Sequence, residues 1–255
     1  MGFVKTPAEL AAYFETPARL FPGAQMLGAL FQTRPEIVAR LLPPPLEPAE
    51  EPGALVFIAE YPKTNLGPGY REAALFLKCR YQGEAGTYCL SMPIDSEEVR
   101  CSNGRDVFGF PKKLAKIHLE RSGSQVHGWV ERRGIRFFEL KVELMAELPA
   151  LAPTGPSFLF KALPRIDLQP GFDGPVLLCK QTTEIALSSL EVGVPELRFH
   201  DSPHDPWSEV EVTDVIAGFY LISDNTMRPG EVIAKVDGDA YLPYHFKNID
   251  FPIGK

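Results

Sequence analysis

The alternation of apolar and polar positions along the chain predicts strands far more often than helices. The segment Ile135–Leu144 sets Phe138, Leu140, Val142 and Leu144 on one face against Glu139, Lys141 and Glu143 on the other, the pattern of a half-buried antiparallel strand. Arg132-Arg133-Gly134 before it supplies a short turn, so Val126–Glu131 and Ile135–Leu144 read as a hairpin. Ala54–Glu60, Glu72–Tyr81, Thr87–Ile94 and Leu114–Glu120 are further strand candidates, followed by Leu159–Ile166, Pro175–Cys179, Glu184–Leu190, Val210–Ser223 and Val232–Val236. Strands succeed one another without the helical crossovers of a parallel sheet. The fold expected is α+β and mainly antiparallel β: a twisted sheet or barrel-like structure with short peripheral helices.

Those helices are signalled by capping patterns. Thr6-Pro7-Ala8-Glu9 and Thr33-Arg34-Pro35-Glu36 both carry a hydroxyl and, three residues on, a carboxylate, each able to satisfy an exposed amide of the first turn. The second helix carries Ile37, Val38, Leu41 and Leu42 and must stop before Pro43-Pro44-Pro45. A third is expected from Asp95 to about Gly104.

Composition narrows the function classes. The 255 residues are 45% hydrophobic and 23% charged, ordinary values for a globular chain, and 21 Gly with 25 Pro fit many turns. Glu147–Ser157 is Pro/Gly-rich enough to be a linker, yet neither half reads as a complete sheet, so residues 1–255 are taken as one domain. A net charge of −7 disfavours nucleic-acid and anionic-membrane partners. The uncharged runs Phe21–Thr33 and Leu148–Phe160 are too short to span a bilayer, and the N-terminus lacks a secretory pattern, so a cytoplasmic location is expected. Cys79, Cys89, Cys101 and Cys179 form no C-x-x-C pair and read as buried free thiols, although Cys79 and Cys89 would face each other in a hairpin turning at Glu84.

The segment with chemistry in it is Gly104-Arg105-Asp106-Val107-Phe108-Gly109-Phe110-Pro111-Lys112-Lys113-Leu114-Ala115. An ordinary lysine amine, with a pKa of about 10.4, is neutral in roughly one molecule in 2,500 at pH 7. Burial among Phe108, Phe110 and Pro111, or a neighbouring cation such as Lys113, favours the neutral, nucleophilic form of Lys112. Pro111 biases the backbone towards extension, which sends Lys112 and Lys113 to opposite sides, so desolvation is expected to be the larger cause.

This segment resembles the active-site signature of the acetoacetate decarboxylase superfamily, Gly-Arg-(Glu/Asp) followed by Gly-(Tyr/Phe)-Pro-Lys-Lys-Leu-Ala. Tyr70-Arg71-Glu72, Leu41-Leu42-Pro43-x-Pro45-Leu46-Glu47, Ser157–Pro164 and Phe219–Gly230 resemble the family outline too, covering Pro17 to Val236. The resemblance implies a closed, cone-like antiparallel β structure, a homo-oligomer, and a small oxo acid as substrate, without metal or organic cofactor. Lys112 would form the Schiff base and Glu72 would handle protons beside it. The bland alternative for Glu72 is an ion pair with Arg71. Arg105 has two readings, a pocket residue that binds a carboxylate or a loop-holding residue paired with Asp106 or Asp95, of which the second is preferred.

Two departures bear on the subclass. The family's first-strand arginine is missing from Phe21-Pro22-Gly23-Ala24-Gln25-Met26-Leu27, where Ala24 or Gln25 stands in its neighbourhood and Arg19 is the nearest substitute. A branch with aldolase-dehydratase chemistry on pyruvate-like substrates has members with a glutamine four residues before the lysine; here that residue is Phe108. Decarboxylation of a 3-oxo acid is the first reading, aldol chemistry the second, and a lipocalin-like binder the non-catalytic alternative. Tyr241, Tyr244 and His245 sit in a C-terminal stretch that could fold over the pocket and supply a hydroxyl donor, although such residues more often pack a terminus.

Overall fold

The computed structural model describes residues 2–15, 18–96, 101, 103–150, 155–248 and 250. In chain order the elements are α1 (Pro7–Phe14), β1 (Arg19–Gln32), α2 (Pro35–Leu41), β2 (Glu47–Pro48), β3 (Gly53–Thr64), β4 (Gly67–Tyr81) and β5 (Glu84–Ile94). They continue with β6 (Lys112–Leu114), β7 (Lys116–Ser122), β8 (Gln125–Arg132), β9 (Ile135–Glu147), β10 (Ser157–Lys161), β11 (Val176–Gln181), β12 (Thr183–Phe199), β13 (Asp214–Met227), β14 (Glu231–Val236) and α3 (Gly238–His245).

All these strands join one sheet ordered β14-β11-β10-β5-β4-β3-β1-β13-β12-β9-β8-β7, with β2 against β4 and β6 against β5. Pairing is antiparallel except for two short parallel contacts, β5 with β10 and β5 with β6. Among the described residues the two ends, β14 and β7, are not hydrogen-bonded to each other. The expected mainly antiparallel β fold with short peripheral helices is present, and only its closure is partial: no hydrogen-bonded ladder joins the ends among the described residues, and the sheet curls on itself by side-chain packing. Gly128 on β8 makes that close approach possible, since a Cβ there would lie 2.7 Å from the Ile58 side chain on β3.

Alternation then separates two faces. Leu27, Ala29 and Phe31 of β1, Val56 and Ile58 of β3, and Ala73, Leu75 and Leu77 of β4 join the main core. Phe57, Ala59 and Tyr61 of β3 and Tyr70, Ala74 and Phe76 of β4 take the other face, where the candidate site lies. β1 escapes a period-2 reading because its middle is buried on both faces, which erases the alternation. The expected strand at 159–166 stops at Lys161, and that at 210–223 is displaced to Asp214–Met227.

The first cap forms as expected: Glu9 N donates to Thr6 Oγ1 at 3.2 Å and Thr6 N to Glu9 Oε2 at 2.8 Å. The second does not. Arg34 caps α2 with no side-chain bond, and the Thr33 hydroxyl is buried without a partner among the described residues. Of the third expected helix, residues 97–100 and 102 lie outside the described residues, as do 151–154 of the linker stretch. The β4–β5 hairpin turns at Gln82-Gly83, both at positive φ, rather than at Glu84. That shift pairs Cys79 with Gly86 and Cys89 with Phe76, and all four cysteines are free.

Candidate functional site

Glu72 occupies the alternate face of β4 together with Tyr70, Ala74 and Phe76, so a run that is otherwise apolar on that face from Tyr70 to Phe76 buries one carboxylate. Burial of a carboxylate is costly unless it is paired and hydrogen-bonded. Both conditions are met. Lys112 Nζ donates to Glu72 Oε2 at 2.7 Å, and the Tyr61 hydroxyl donates to Oε1 at 3.1 Å. Arg71, the alternative partner, pairs instead with Glu60 at 2.8 Å. Burial and the adjacent Glu72 charge hold the Tyr61 phenol well above its ordinary pKa, so it remains a donor.

The lysine arrives by a short, tightly turned segment. Residues Asn103–Phe108 form a π-helical turn, closed by Phe110 N donating to Gly104 O at 3.0 Å. Gly109 then reverses the chain at φ +89°, where a Cβ would fall 2.7 Å from Phe160 O. β6 comes next, docked in parallel on β5 with Lys112 beside Met92, so the lysine reaches past β5 towards Glu72 on β4. Gly104 closes over its stem: a Cβ there would stand 2.3 Å from Lys112 Cε and 2.8 Å from Cδ.

The Lys112–Glu72 pair opens onto a cavity of about 790 Å³ whose lining includes Arg19, Tyr61, Tyr70, Phe108 and Phe110. The Tyr70 ring lies 5.5 Å from the Lys112 ammonium, within reach of a cation–π contact. Arg19, 6% exposed, donates to the Tyr13 hydroxyl of α1 at 3.2 Å and lies over the Tyr13 ring. An amine, a carboxylate, a phenol and a guanidinium thus line one largely apolar chamber. Such a set can bind a carboxylate, attack a carbonyl and move a proton.

The acetoacetate decarboxylase family model matches residues 1–236. The chain belongs to this family. It is 27% identical over 236 residues to the acetoacetate decarboxylase of Ralstonia nicotianae, covering 89% of this chain and 92% of that one. The crystal structure of acetoacetate decarboxylase from Legionella pneumophila superposes with a TM-score of 0.79 at 25% identity, over 86% of this chain and 88% of that one. The fold is shared with the enduracididine biosynthesis enzyme MppR, solved in complex with pyruvate, at a TM-score of 0.74 and 18% identity over 91% and 93% of the two chains.

The family signature is distributed over two sides of the sheet. Lys112, Phe108 and Phe110 line the large cavity, whereas Pro111 and Lys113 line a smaller one of about 150 Å³. Lys113 Nζ donates to His204 O at 2.8 Å and meets Asp205 at 3.4 Å and Asp250 at 3.5 Å. Arg105 is exposed and bonds Asp106 at 3.0 Å, the loop-holding arrangement, and is not a pocket residue. Asp95 instead accepts from Arg71 N.

Two expected pocket residues are corrected. Gln25 faces away from the cavity and accepts the Tyr220 hydroxyl at 2.7 Å. The bulge between Phe21 and Ala24, with Gly23 at φ +65°, shifts the phase of β1 so that Ala24 and Met26 take the inner face instead. Tyr241 does not cover the pocket; it stacks on Phe160 at 4.6 Å within the main core, and His245 packs on Phe172 beside it. Tyr61 carries no motif that marks it in the sequence and Tyr70 appears there only beside Glu72 in Tyr70-Arg71-Glu72, although alternation from Glu72 back across a hairpin at Thr64–Gly67 puts all three on one face.

Proposed function

We propose that the protein is a Schiff-base lyase in which Lys112 attacks the ketone of a 3-oxo acid and the adduct loses carbon dioxide. The observation that carries this reading is the buried Lys112–Glu72 contact at 2.7 Å on the wall of a cavity that also contains Arg19. Glu72 takes a proton from the ammonium, the freed amine adds to the ketone carbon, and loss of water leaves an iminium. The bond from the carboxylate to its neighbouring carbon then breaks. Its electron pair becomes the enamine double bond as the iminium nitrogen is neutralised, and carbon dioxide departs. Glu72, having given its first proton to the departing water and taken a second from solvent, protonates the enamine carbon, and hydrolysis of the resulting iminium releases a methyl ketone and restores the amine.

Arg19 holds the carboxylate before cleavage, the task that the residues around Gln25 leave open, and Tyr13 fixes its orientation. Tyr61 orients Glu72 by bonding the oxygen that Lys112 leaves free. Phe108 and Phe110 exclude water from the iminium, and an apolar Phe108 rather than an amide favours decarboxylation over dehydration chemistry. A second reading, aldol chemistry on a pyruvate-like acid, draws support from the shared fold of MppR, which has been solved with the condensation product of pyruvate and imidazole 4-carboxaldehyde.

Borohydride reduction in the presence of acetoacetate or pyruvate, followed by peptide mass mapping and a carbon dioxide assay, tests the proposal. A reduced adduct on Lys112 with carbon dioxide release from acetoacetate is expected, and Lys112→Ala should abolish both. A pyruvate adduct without carbon dioxide release from the 3-oxo acid would turn the reading towards aldol chemistry. No adduct with any oxo acid would overturn the Schiff-base reading and leave a small-molecule binder.

A further inference from the structure

Four charged or hydroxyl groups of the large cavity gather at one end. Arg19, Glu72, Lys112 and Tyr61 lie where β1 begins, where β3 finishes and where β6 docks. Strand register maps the wall beyond them. Met26 of β1 is level with Ala59 of β3 and Leu221 of β13; Gly28 is level with Phe57 and Phe219; Leu30 is level with Leu55 and Ala217. β12 adds Leu190 opposite Leu221 and Val192 opposite Phe219. Three successive levels of wall, all in the cavity lining apart from Ala59 and Gly28, contain no polar side chain. Polar residues return to the lining beyond Phe76 of β4, at Lys78, Thr87 and Ser157.

The depth of this apolar stretch is set by strand geometry. The three levels run from Ala59 to Leu55, four residues, which at about 3.3 Å per residue is roughly 13 Å. Carbon–carbon bonds of about 1.5 Å advance an extended alkyl chain by about 1.3 Å per carbon, so roughly 13 Å accommodates a tail of several carbons beyond the acetoacetate unit. The wall is also shaped by sequence. Gly28 has no side chain, and a Cβ there would lie 2.2 Å from Phe219 Cζ, so this glycine lets the Phe219 ring lie flat on the wall. A volume of about 790 Å³ lies in the upper part of the range for ligands of drug size.

We infer that the substrate is a 3-oxo acid with an unbranched apolar tail, about eight to twelve carbons in all, whose carboxylate and ketone meet Arg19 and Lys112 while the tail runs along the Leu221, Phe219 and Ala217 levels. The inference rests on the Schiff-base reading of Lys112 and adds the tail to it. The long-chain 3-oxo carboxylate and one proton yield carbon dioxide and a methyl ketone one carbon shorter. A burial contribution of about 0.8 kcal/mol per methylene corresponds to about fourfold in kcat/KM for each methylene that enters the chamber.

The test compares carbon dioxide release from acetoacetate, 3-oxooctanoate and 3-oxododecanoate. kcat/KM should rise by on the order of a hundredfold from the four-carbon to the eight-carbon acid. Ala217→Phe, which fills the far level, should lower the ratio of 3-oxododecanoate to acetoacetate turnover at least tenfold in a variant whose circular dichroism matches the parent. A flat or falling profile in a protein that still gives the borohydride adduct with acetoacetate overturns the tail and leaves the Schiff base standing. Absence of an adduct with all three acids overturns both, and dodecanoate binding by calorimetry would then identify the chamber as a carrier site.

Discussion

Lys112 turns into the large cavity, where a single carboxylate meets its ammonium at 2.7 Å, whereas Lys113, one residue on, turns to the other side of β6 and joins Asp205, Asp250 and Arg132. Asp250 is shared among Arg132, Arg133 and Lys113, and those hydrogen bonds and charges hold its carboxyl well below the ordinary carboxylate range. Among the described residues the first lysine has one carboxylate partner, with the Tyr70 ring and open space beside it; the second is held by a network. Strand alternation alone separates them. A lysine can act as a nucleophile only where its amine is able to leave its counter-ion and meet a ligand, so the contrast predicts chemistry on one side of β6 and structural tethering on the other.

The largest effect expected after loss of Lys112 itself is that of Glu72→Gln. It keeps the shape and removes the proton acceptor, and should lower kcat by about 10²–10⁴-fold, measured as carbon dioxide release. Gly104→Ala should come next. Its Cβ would displace the Lys112 stem, and because displacements of about an ångström cost around a hundredfold, a loss of about 10–100-fold in kcat with a retained fold is expected. Lys113→Met should invert the pattern: turnover within a few-fold of the parent, but a thermal midpoint lower by several degrees, at about 2–4 °C per kcal/mol for a chain of this size. Turnover falling as far as with Lys112→Ala would break the comparison and make the Lys113 charge, not desolvation, the activating cause.

The smallest effect concerns pH. Lys247 lies over the Tyr88 ring at 4.1 Å beside the smaller cavity. Burial, augmented by the Lys113 charge and opposed by Cys89, lowers its amine to about 7. Below about pH 7 folded and unfolded chains both hold this proton, and the folded chain bears the full cost. Between there and the ordinary lysine value of about 10.4 only the unfolded chain holds it, so this group makes stability rise with pH across that window. Thermal midpoints at pH 6.5 and 9.5 should therefore differ less in Lys247→Met than in the parent. In Lys113→Met the rise should begin at higher pH.

Much of this arrangement is written in the sequence, for reasons that are local. The Gly104–Ala115 segment identifies the lysine through its resemblance to the family signature, and the π-helical turn, the positive φ at Gly109 and the tight turn in which Lys112 N donates to Phe110 O, which together deliver the lysine, depend on neighbouring residues. The opposite orientation of Lys113 comes from strand periodicity, and Glu72 is the lone charge in an apolar run on one face of β4. The capping box at Thr6 and Glu9 is equally local.

What tertiary structure alone decides are the features that depend on residues far apart in sequence. Sequence position places Gln25 in the pocket, but a one-residue bulge reverses the phase of β1, brings Ala24 and Met26 inward and leaves Arg19 to line the cavity. Tyr241 lies in a stretch able to reach the pocket, but the packing of α3 against Phe160 draws it into the opposite core. Whether the sheet closes is undecidable from strand patterns, because every strand alternates alike in an open or a closed sheet. Among the described residues the curled sheet meets itself through side chains, as at Gly128 of β8 and Ile58 of β3, rather than through a ladder between its end strands. Local periodicity fixes which face a residue takes within an unbroken strand; the phase across a bulge, and what that face meets, are set by pairing and packing with segments the local pattern does not contain.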